Sequence, residues 1–232
     1  MIVITGDTHM IIDYHKLFRR SFNKKIYRKI TDKDYLIICG DAGVVWDDSK
    51  ENQHFIRYLT NKKWTTLFVD GNHENHEALD NMPVEIWNGG KIHRINDKIF
   101  HLMRGQVFTI DGLKFFTMGG ANSVDKQYRT ECVNWWRREI PSYAECDEAL
   151  KNLEQHDWTV DYILTHTPPE SILVDLIPWY ERDAASVFLE EVKRRVNYKH
   201  WYFGHLHIDM KIDEKHTAVF DNKILLNYRE EA

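Results

Sequence analysis

Five short apolar runs, each ending in a polar cluster, constrain the fold of this chain more than any other feature of its sequence. Continuous apolar runs of this length are typical of strands that are buried on both faces. Such strands occur mainly in parallel sheets whose faces are covered by helices. The runs are Ile2-Val3-Ile4, Leu36-Ile37-Ile38-Cys39, Leu67-Phe68-Val69, Tyr162-Ile163-Leu164 and Trp201-Tyr202-Phe203.

Three stretches between these runs place apolar residues at helical spacing: Asp13 to Ile30, Lys50 to Asn61 and Ala184 to Val196. Such spacing puts the apolar side chains on one stripe of a helix. Strands and helices therefore alternate, which predicts an α/β sandwich with helices on both faces. At roughly 150 residues per domain, 232 residues correspond to about 1.5 domains. We expect one domain, 1–232, that contains an insertion.

The middle of the chain has a different pattern. Its short segments end in turn signals, and Asp111-Gly112 predicts a hairpin turn. We interpret this region as a second, largely antiparallel sheet. The segments are Ile92 to Ile95, Lys98 to Leu102, Gln106 to Ile110 and Leu113 to Met118.

Two further regions complete the prediction. Residues 121–155 are rich in aromatic and charged side chains. We expect them to form an insertion, or cap-like segment, within the domain. Residues 208–228 are predicted to form hairpin strands, with a turn at Asp221-Asn222.

The polar residues that follow the five apolar runs are of the types that bind metal ions. Open α/β sheets place their sites at the carboxyl ends of the strands. Carboxylates and imidazoles are the ligands expected for Zn, Mn or Fe. Residues two apart in an extended segment point the same way, so both members of a closely spaced pair can reach one site. The candidates are Asp7, His9, Asp41, Asn72, His166, His205 and His207.

This set is too large for one tetrahedral ion, so it predicts two divalent ions that share a carboxylate. Such a pair acts as a clamp on phosphoryl oxygens and lowers the pKa of a water between the ions. Two cations carry +4, and Asp7 and Asp41 carry −2. With a bridging hydroxide the sum is about +1, which attracts a phosphate dianion.

Composition excludes some classes of function and partner. Lys+Arg 31 minus Asp+Glu 36 gives a net charge of −5, which argues against coating long nucleic acid by bulk charge, although a local basic patch can still bind it. No apolar run approaches the ~20 residues of a membrane span. The N-terminus lacks a secretory pattern, and Cys39, Cys132 and Cys146 are unpatterned. We therefore expect a cytoplasmic location.

The motifs that contain these residues resemble those of the calcineurin-like metallophosphoesterases. All five blocks are present in order between positions 6 and 207. The blocks are Asp7-x-His9, Gly40-Asp41, Gly71-Asn72-His73-Glu74, His166 and Gly204-His205-x-His207. The resemblance implies a four-layer α/β/β/α sandwich. It also implies a metal-dependent hydrolase of phosphate mono- or diesters with two divalent ions, for which Mn, Fe and Zn are the candidates.

The same resemblance implies a role for each residue. Asp7, His9, Asp41 and His207 would hold the first ion, and Asn72, His166 and His205 would complete the second, with Asp41 as the bridge. A hydroxide bridging the metals would be the nucleophile, and His73 would protonate the leaving-group oxygen as general acid. Catalysis would thus depend on His73, Asn72 and Asp41.

Several neighbouring residues have open roles. Asn72 and His73 would also contact the substrate. Arg129 could grip a phosphate bidentately or be a solvated surface residue. Glu74 could cap a helix or orient a ligand. Asp47 or Asp70 could orient His73.

Departures from the family pattern narrow the substrate class. The protein Ser/Thr phosphatases carry an Arg immediately before the Gly-Asn-His-Glu block and an Asp-Arg-Gly after the second block. This chain has Asp70 at the first place, and Val44 and Val45 after Gly43. The resemblance therefore disfavours a protein phosphatase. A non-catalytic scaffold would be expected to lack ligands or His73, and all of them are present.

A second resemblance concerns residues 87–129. Trp87-Asn88-Gly89-Gly90, Gly119-Gly120-Ala121-Asn122-Ser123 and Tyr128-Arg129 are similar to the lariat RNA debranching branch of the superfamily, which acts on a 2′,5′ phosphodiester. Those enzymes place a Cys where Asp7 stands here. The alternative to a phosphorylated small-molecule or nucleotide substrate is therefore nucleic acid, cleaved by a nuclease-like or debranching-like enzyme. It would require residues 121–155 to form a basic or aromatic rim. Oligomeric state is left open.

Overall fold

The computed structural model describes residues 1–180 and 182–226. Its strands, in chain order, are β1 (Ile2–Thr5), β2 (Tyr35–Cys39), β3 (Thr65–Val69), β4 (Val84–Trp87), β5 (Gly90–Asn96), β6 (Ile99–Leu102), β7 (Gln106–Ile110), β8 (Leu113–Met118), β9 (Tyr162–Thr165), β10 (His200–Phe203), β11 (Met210–Lys211), β12 (His216–Ala218) and β13 (Ile224–Leu226). Its α-helices are α1 (Lys24–Lys29), α2 (Lys50–Thr60), α3 (His76–Asp80), α4 (Tyr143–Gln155), α5 (Glu170–Leu176) and α6 (Ala184–Arg195).

Within the described residues the strands form two mixed sheets, of seven and six strands, in the orders β13-β1-β2-β3-β6-β5-β4 and β11-β12-β10-β9-β8-β7. The first three predicted apolar runs become β1, β2 and β3, which pair in parallel. The last two become β9 and β10, which also pair in parallel. The sequence prediction of doubly buried strands is thus confirmed.

The two sheets pack face to face between two layers of helices, and alternate side chains of each strand contact these two kinds of neighbour. Ile2 and Ile4 of β1 point into a core between the sheets, where they share a cluster with Phe115 of β8. Val3, between them, points the other way and packs with Phe55 of α2. Successive side chains of a strand face opposite sides, so both faces must be apolar.

The outer face of the second sheet is covered in the same way. Phe116 and Trp201 pack there with Leu153 of α4 and Leu189 of α6. The result is the expected four-layer α/β/β/α sandwich.

The middle of the chain does not form a sheet of its own, so that part of the prediction is wrong. Strands β4 to β6 extend the first sheet, where β6 lies parallel to β3. Strands β7 and β8 join the second, where β8 lies parallel to β9. The Asp111-Gly112 turn is confirmed, since both residues have positive φ, 52° and 78°. Hairpin signals identify a strand's neighbour along the chain and do not reveal its second partner.

The tail also divides between the sheets. Strands β11 and β12 form an antiparallel pair, whereas β13 crosses to the first sheet and pairs with β1. Asp221 and Asn222 therefore lie in a crossover, where their backbone N–H groups donate to the Asp209 carboxylate, and not in a hairpin turn. Residues 227 and 228 of the predicted hairpin lie outside the described residues.

The predicted helix from Asp13 to Ile30 is broken. Two 3-10 turns, Tyr14–Leu17 and Arg19–Ser21, precede α1, and the residue after each turn, Phe18 and Phe22, has an extended backbone. Phe18 packs edge-on against Tyr58 of α2, at 5.8 Å between ring centroids. Such tertiary packing overrides helical spacing. The other two predicted helices are confirmed as α2 and α6.

Residues 121–155 have two structurally different parts. Residues 121–142 contain two 3-10 turns, Lys126–Tyr128 and Arg137–Glu139, and border the site described below. Helix α4 follows, begins at a Ser142 capping box and packs against the second sheet. Its treatment as part of an insertion stays a prediction. No helix among residues 1–180 and 182–226 has both the length and the apolarity needed to cross a membrane.

Candidate metal centre

The seven candidate ligands lie in loops at the carboxyl ends of β1, β2, β3, β9 and β10, where the two sheets meet. Five of the seven have left-handed backbones, which non-glycine residues seldom adopt, and such strain is concentrated at functional sites. They are Asp7 (φ 49°), His9 (φ 41°), Asp41 (φ 47°), His205 (φ 68°) and His207 (φ 50°).

The four residues predicted to hold the first ion converge. One ligand atom from each of Asp7, His9, Asp41 and His207 lies within 4.8 Å of all the others. The His9 Nε2 atom is 3.2 Å from Asp41 Oδ2, and His207 Nε2 is 3.7 Å from Asp7 Oδ1. The structure therefore brings the first predicted set together.

The second set meets on the other side of Asp41. His166 Nε2 is 3.0 Å from Asn72 Oδ1 and 3.4 Å from Asp41 Oδ1. The His166 and His205 ring centroids are 4.9 Å apart. Asp41 thus presents one carboxylate oxygen to each set, which is the position expected of a bridging ligand.

Hydrogen bonds behind the ligands aim them at the cluster. His166 Nδ1–H donates to the Cys39 carbonyl at 3.0 Å, and His9 Nδ1–H donates to Asp13 at 2.9 Å. Each bond leaves Nε2 as the free ligand atom, which is how metal-binding histidines are usually oriented. The backbone N–H of His73 donates to Asp41 Oδ1 at 2.7 Å and so fixes the carboxylate.

The charge balance also fits a pair of cations. Asp7 and Asp41 are almost completely buried. Burial raises the pKa of Asp7, and the Asp41 carboxylate adds to that rise. Burial lowers the pKa of His166, but the charges of Asp41 and Asp7 outweigh it and raise that pKa to about 9. Two buried carboxylates beside imidazoles are a set of ligands that suits a divalent cation, which binds by displacing the protons that these groups hold.

Lys16 supports the first set and was missed by the sequence analysis. Its ammonium is buried and donates to the carbonyls of Gly6, Asp7 and Phe220 at 2.9–3.0 Å. These bonds join the loop after β1 to the tail crossover. Nothing in the sequence distinguishes this lysine from its exposed neighbours, because its acceptors are backbone carbonyls. One of them, that of Phe220, is more than 200 positions away.

The Glu74 carboxylate lies behind a predicted ligand, in agreement with one of the two roles considered for it, and does not cap a helix. Glu74 Oε1 accepts from the backbone N–H of Ala42 at 2.7 Å and thereby fixes the loop that carries Asp41. The cap of α3 is Asn75. Burial, with the Asp41 charge, raises the pKa of Glu74 well above its usual range.

The two carboxylates considered as partners of His73 are engaged elsewhere. Asp70 accepts from Arg104 Nε at 2.8 Å and Nη2 at 2.6 Å, and lies 3.1 Å from His101 Nε2. Asp47 is exposed and accepts from the Ser49 backbone.

Two cavities flank the cluster. One, of about 270 Å³, is lined by His9, His73 and Arg129, with Trp46 and Met10 on its wall. Asp125 binds the Arg129 guanidinium through Nε at 2.8 Å and Nη2 at 2.7 Å. Burial lowers the pKa of His73, and Arg129 contributes to the decrease.

The second cavity, of about 580 Å³, borders the second predicted set. His205 and Ser123 line it together with Lys126, Trp179 and Tyr180. Trp179 is 85% exposed on its rim, which leaves a large aromatic face free for contact with a ligand.

Comparisons with known proteins agree with this geometry. A sequence model described as calcineurin-like phosphoesterase matches residues 1–209. Lariat debranching enzymes from Gallus gallus and Homo sapiens are 23% and 25% identical to the chain, over 80% of its length in both cases. These alignments span only 39% and 38% of those proteins, so the chain matches less than half of each relative.

A solved Staphylococcus aureus structure is described as a 5′-nucleotidase in complex with alpha-ketoglutarate. Its match covers 94% of the present chain and 48% of the nucleotidase chain. Its sequence identity is 13% and its TM-score 0.43.

Proposed function

We propose that this chain, which belongs to the calcineurin-like phosphoesterase family, hydrolyses phosphoric esters with two divalent ions. Asp7, His9, Asp41 and His207 would hold one divalent ion. Asn72, His166 and His205 would hold a second, with Asp41 shared. Manganese, iron and zinc all suit these ligands. When bound, the ions would polarise the phosphoryl oxygens and lower the pKa of a water between them.

The observation that supports this proposal best is the position of Asp41. Its Oδ2 faces His9 at 3.2 Å and its Oδ1 faces His166 at 3.4 Å. A single carboxylate between two imidazole groups from different sheets is what a shared ligand requires. The backbone bond from His73 to the same carboxylate also places the proposed acid beside the site.

The remaining steps belong to side chains of this chain. Asn72 and Arg129 would hold the phosphoryl group, and His73 would donate a proton to the departing oxygen. The small cavity would receive one ester substituent against Trp46 and Met10. The free thiols of Cys39, Cys132 and Cys146 suit the cytoplasmic location that we propose.

Substrate profiling tests the function. We expect manganese-loaded protein to hydrolyse p-nitrophenyl phosphate, bis-p-nitrophenyl phosphate or both, and metal-free protein to be inactive. The ratio of the two rates separates a monoesterase from a diesterase. A metal-loaded preparation that is inert toward both compounds and toward nucleotides would contradict the proposal.

Arg129 provides a more local test. We expect Arg129→Ala to raise KM for a phosphate ester roughly 10-fold or more, because a charged hydrogen bond to the phosphoryl group would be lost. Arg137→Ala is the matched control, since Arg137 belongs to the same segment but is 80% exposed and paired with Glu131. Steady-state kinetics of both variants decide between a phosphate-binding role and a surface role for Arg129.

The second candidate function is a nucleic-acid phosphodiesterase, and the paired cavities favour it. A phosphodiester carries two ester substituents on phosphorus, and the site has one cavity lined by His73 and another lined by His205. Lys126 and Trp179 line the larger cavity, and charge and stacking of this kind bind single strands. The relatives named as debranching enzymes point the same way, toward a 2′,5′ linkage.

Salt dependence tests this candidate. We expect cleavage of a short 2′,5′- or 3′,5′-linked oligonucleotide to weaken steeply as salt concentration rises, because phosphate contacts release counterions. Hydrolysis of p-nitrophenyl phosphate serves as the control and should change little. Absence of oligonucleotide cleavage at low salt would restrict the function to small substrates.

A further inference from the structure

We propose that Ser123 and Glu139 are positioning residues that set the orientation of the Asn72 amide, and that this is how residues 121–142 act on the second ion site. The inference rests on the proposed function, because it concerns Asn72 as a ligand. Neither residue belongs to the motifs of the five blocks. Both are buried, with Ser123 2% and Glu139 1% exposed.

The three side chains form a relay. The Ser123 backbone N–H donates to Glu139 Oε1 at 2.9 Å, and the Ser123 hydroxyl donates to Glu139 Oε2 at 2.6 Å. Asn72 Nδ2 in turn donates to Ser123 Oγ at 3.1 Å. The remaining end of the amide, Asn72 Oδ1, lies 3.0 Å from His166 Nε2.

The direction of the relay follows from the donors and acceptors available. An ionised carboxylate only accepts hydrogen bonds, so the single hydroxyl hydrogen of Ser123 is used in its hydrogen bond to Glu139. Ser123 Oγ then offers lone pairs only, and the partner it can accept from is the NH₂ end of Asn72. Oδ1 is thereby directed toward the cluster. The flipped amide would present N–H groups there, which cannot bind a cation.

A second connection holds the relay in place. Arg104 binds the Asp70 carboxylate, and its Nη2 also donates to the Arg138 carbonyl at 2.9 Å and the Glu139 carbonyl at 3.2 Å. The Gly120 N–H donates to the Asp70 carbonyl at 2.9 Å. Through Asp70, the segment that carries Asn72 is therefore connected to both ends of the segment that carries Ser123 and Glu139.

The Gly119-Gly120 pair is explained by the same packing. A Cβ atom on Gly119 would lie 2.1 Å from Asp70 Oδ1, and Gly120 has a φ of +88°. The two glycines let the backbone approach Asp70 closely enough to place Ser123 against Asn72.

An isosteric substitution tests the direction of the relay. In Glu139→Gln the amide must place an NH₂ group on either Ser123 Oγ or the Ser123 N–H. In the first arrangement the Ser123 hydroxyl accepts from Gln and must donate toward Asn72, which favours the flipped amide. In the second, the Gln NH₂ group faces the Ser123 backbone N–H, so two donors face each other without an acceptor. We expect calorimetric titration of metal-free protein with Mn²⁺ to show one of the two ions bound roughly 10- to 100-fold more weakly, the usual cost of losing a group behind a ligand. The thermal midpoint of metal-free protein should stay close to that of the wild type.

Two serine substitutions complete the experiment. Ser123→Ala should weaken the binding of the same ion. Ser123→Thr, which keeps the hydroxyl, should bind that ion with wild-type affinity. Ser171→Ala is the matched control, because Ser171 donates through N–H and hydroxyl to Glu190 in the same way on α5, at 3.1 and 2.7 Å. Its Mn²⁺ binding should be unchanged.

The possible results separate this inference from the proposed function. Wild-type affinity for both ions in Glu139→Gln and Ser123→Ala would overturn the relay and leave the dimetal function standing. A wild-type protein that binds no Mn²⁺ would overturn both.

Discussion

Replacement of Asp41 by Asn should eliminate both ion sites together and abolish hydrolysis. Turnover should fall by more than the roughly 10- to 100-fold loss that is usual when a residue hydrogen-bonded to a metal ligand is removed, because here the ligand itself is lost. Asp41 presents a different carboxylate oxygen to each predicted set, Oδ2 to His9 at 3.2 Å and Oδ1 to His166 at 3.4 Å, whereas Asp7 approaches both sets through Oδ1 alone. Removing its charge therefore weakens each site, whereas loss of any other ligand affects one site first.

The substitution should not unfold the protein. Asn tolerates the left-handed backbone of position 41, and its amide oxygen can still accept from the His73 N–H. It does remove the carboxylate charge that, with Asp7, raises the pKa of His166 to about 9, so the metal-free variant should stay folded but unfold at a lower temperature than metal-free wild type.

Metal analysis and thermal unfolding decide this prediction. Asp161→Asn is the control, because Asp161 pairs with Lys199 and with the Lys114 backbone, away from the cluster. It should retain full metal content. One ion still bound at full occupancy in Asp41→Asn would contradict the shared-ligand assignment.

The second large effect is expected for His73→Asn. General acids contribute typically about 10²- to 10⁴-fold. The effect should be greatest for substrates whose leaving oxygen is basic, such as alkyl phosphates, and small for p-nitrophenyl esters, because nitrophenolate departs without a proton. His73 lines the small cavity beside Arg129, where a leaving group would lie.

The charge of the substrate is part of this argument. Burial lowers the pKa of His73 below its ordinary value. A phosphoryl dianion nearby would raise it, because an opposite charge favours the protonated imidazole. His54→Asn, on the exposed face of α2, is the control and should leave all rates unchanged. Equal losses on alkyl and nitrophenyl substrates would exclude His73 as the acid.

The sequence predicted the strands that carry the site because burial on both faces leaves an unmistakable pattern. Ile2, Val3 and Ile4 must all be apolar, since alternate residues pack between the sheets and against the helices. The residues after those strands were identifiable for the same reason, because a polar cluster after a buried strand has few structural explanations.

The rest depended on contacts that local patterns do not contain. The spacing of Phe18 and Phe22 suits a helix, but Phe18 packs on Tyr58 of α2 and Phe22 on Trp64, and both residues have extended backbones. Hairpin signals in the middle could not reveal that β6 pairs with β3 and β8 with β9. Ser123 and Asn72 are 51 positions apart, so the relay between them has no sequence signature.

A stoichiometric titration tests the central claim most directly. Metal-free wild-type protein would be titrated with Mn²⁺ while ion binding and hydrolysis of bis-p-nitrophenyl phosphate and p-nitrophenyl phosphate are followed together. The account predicts that activity toward at least one ester rises with occupancy and reaches its plateau at two ions per chain. Full activity at one ion, or a saturated protein that hydrolyses neither ester, would contradict it.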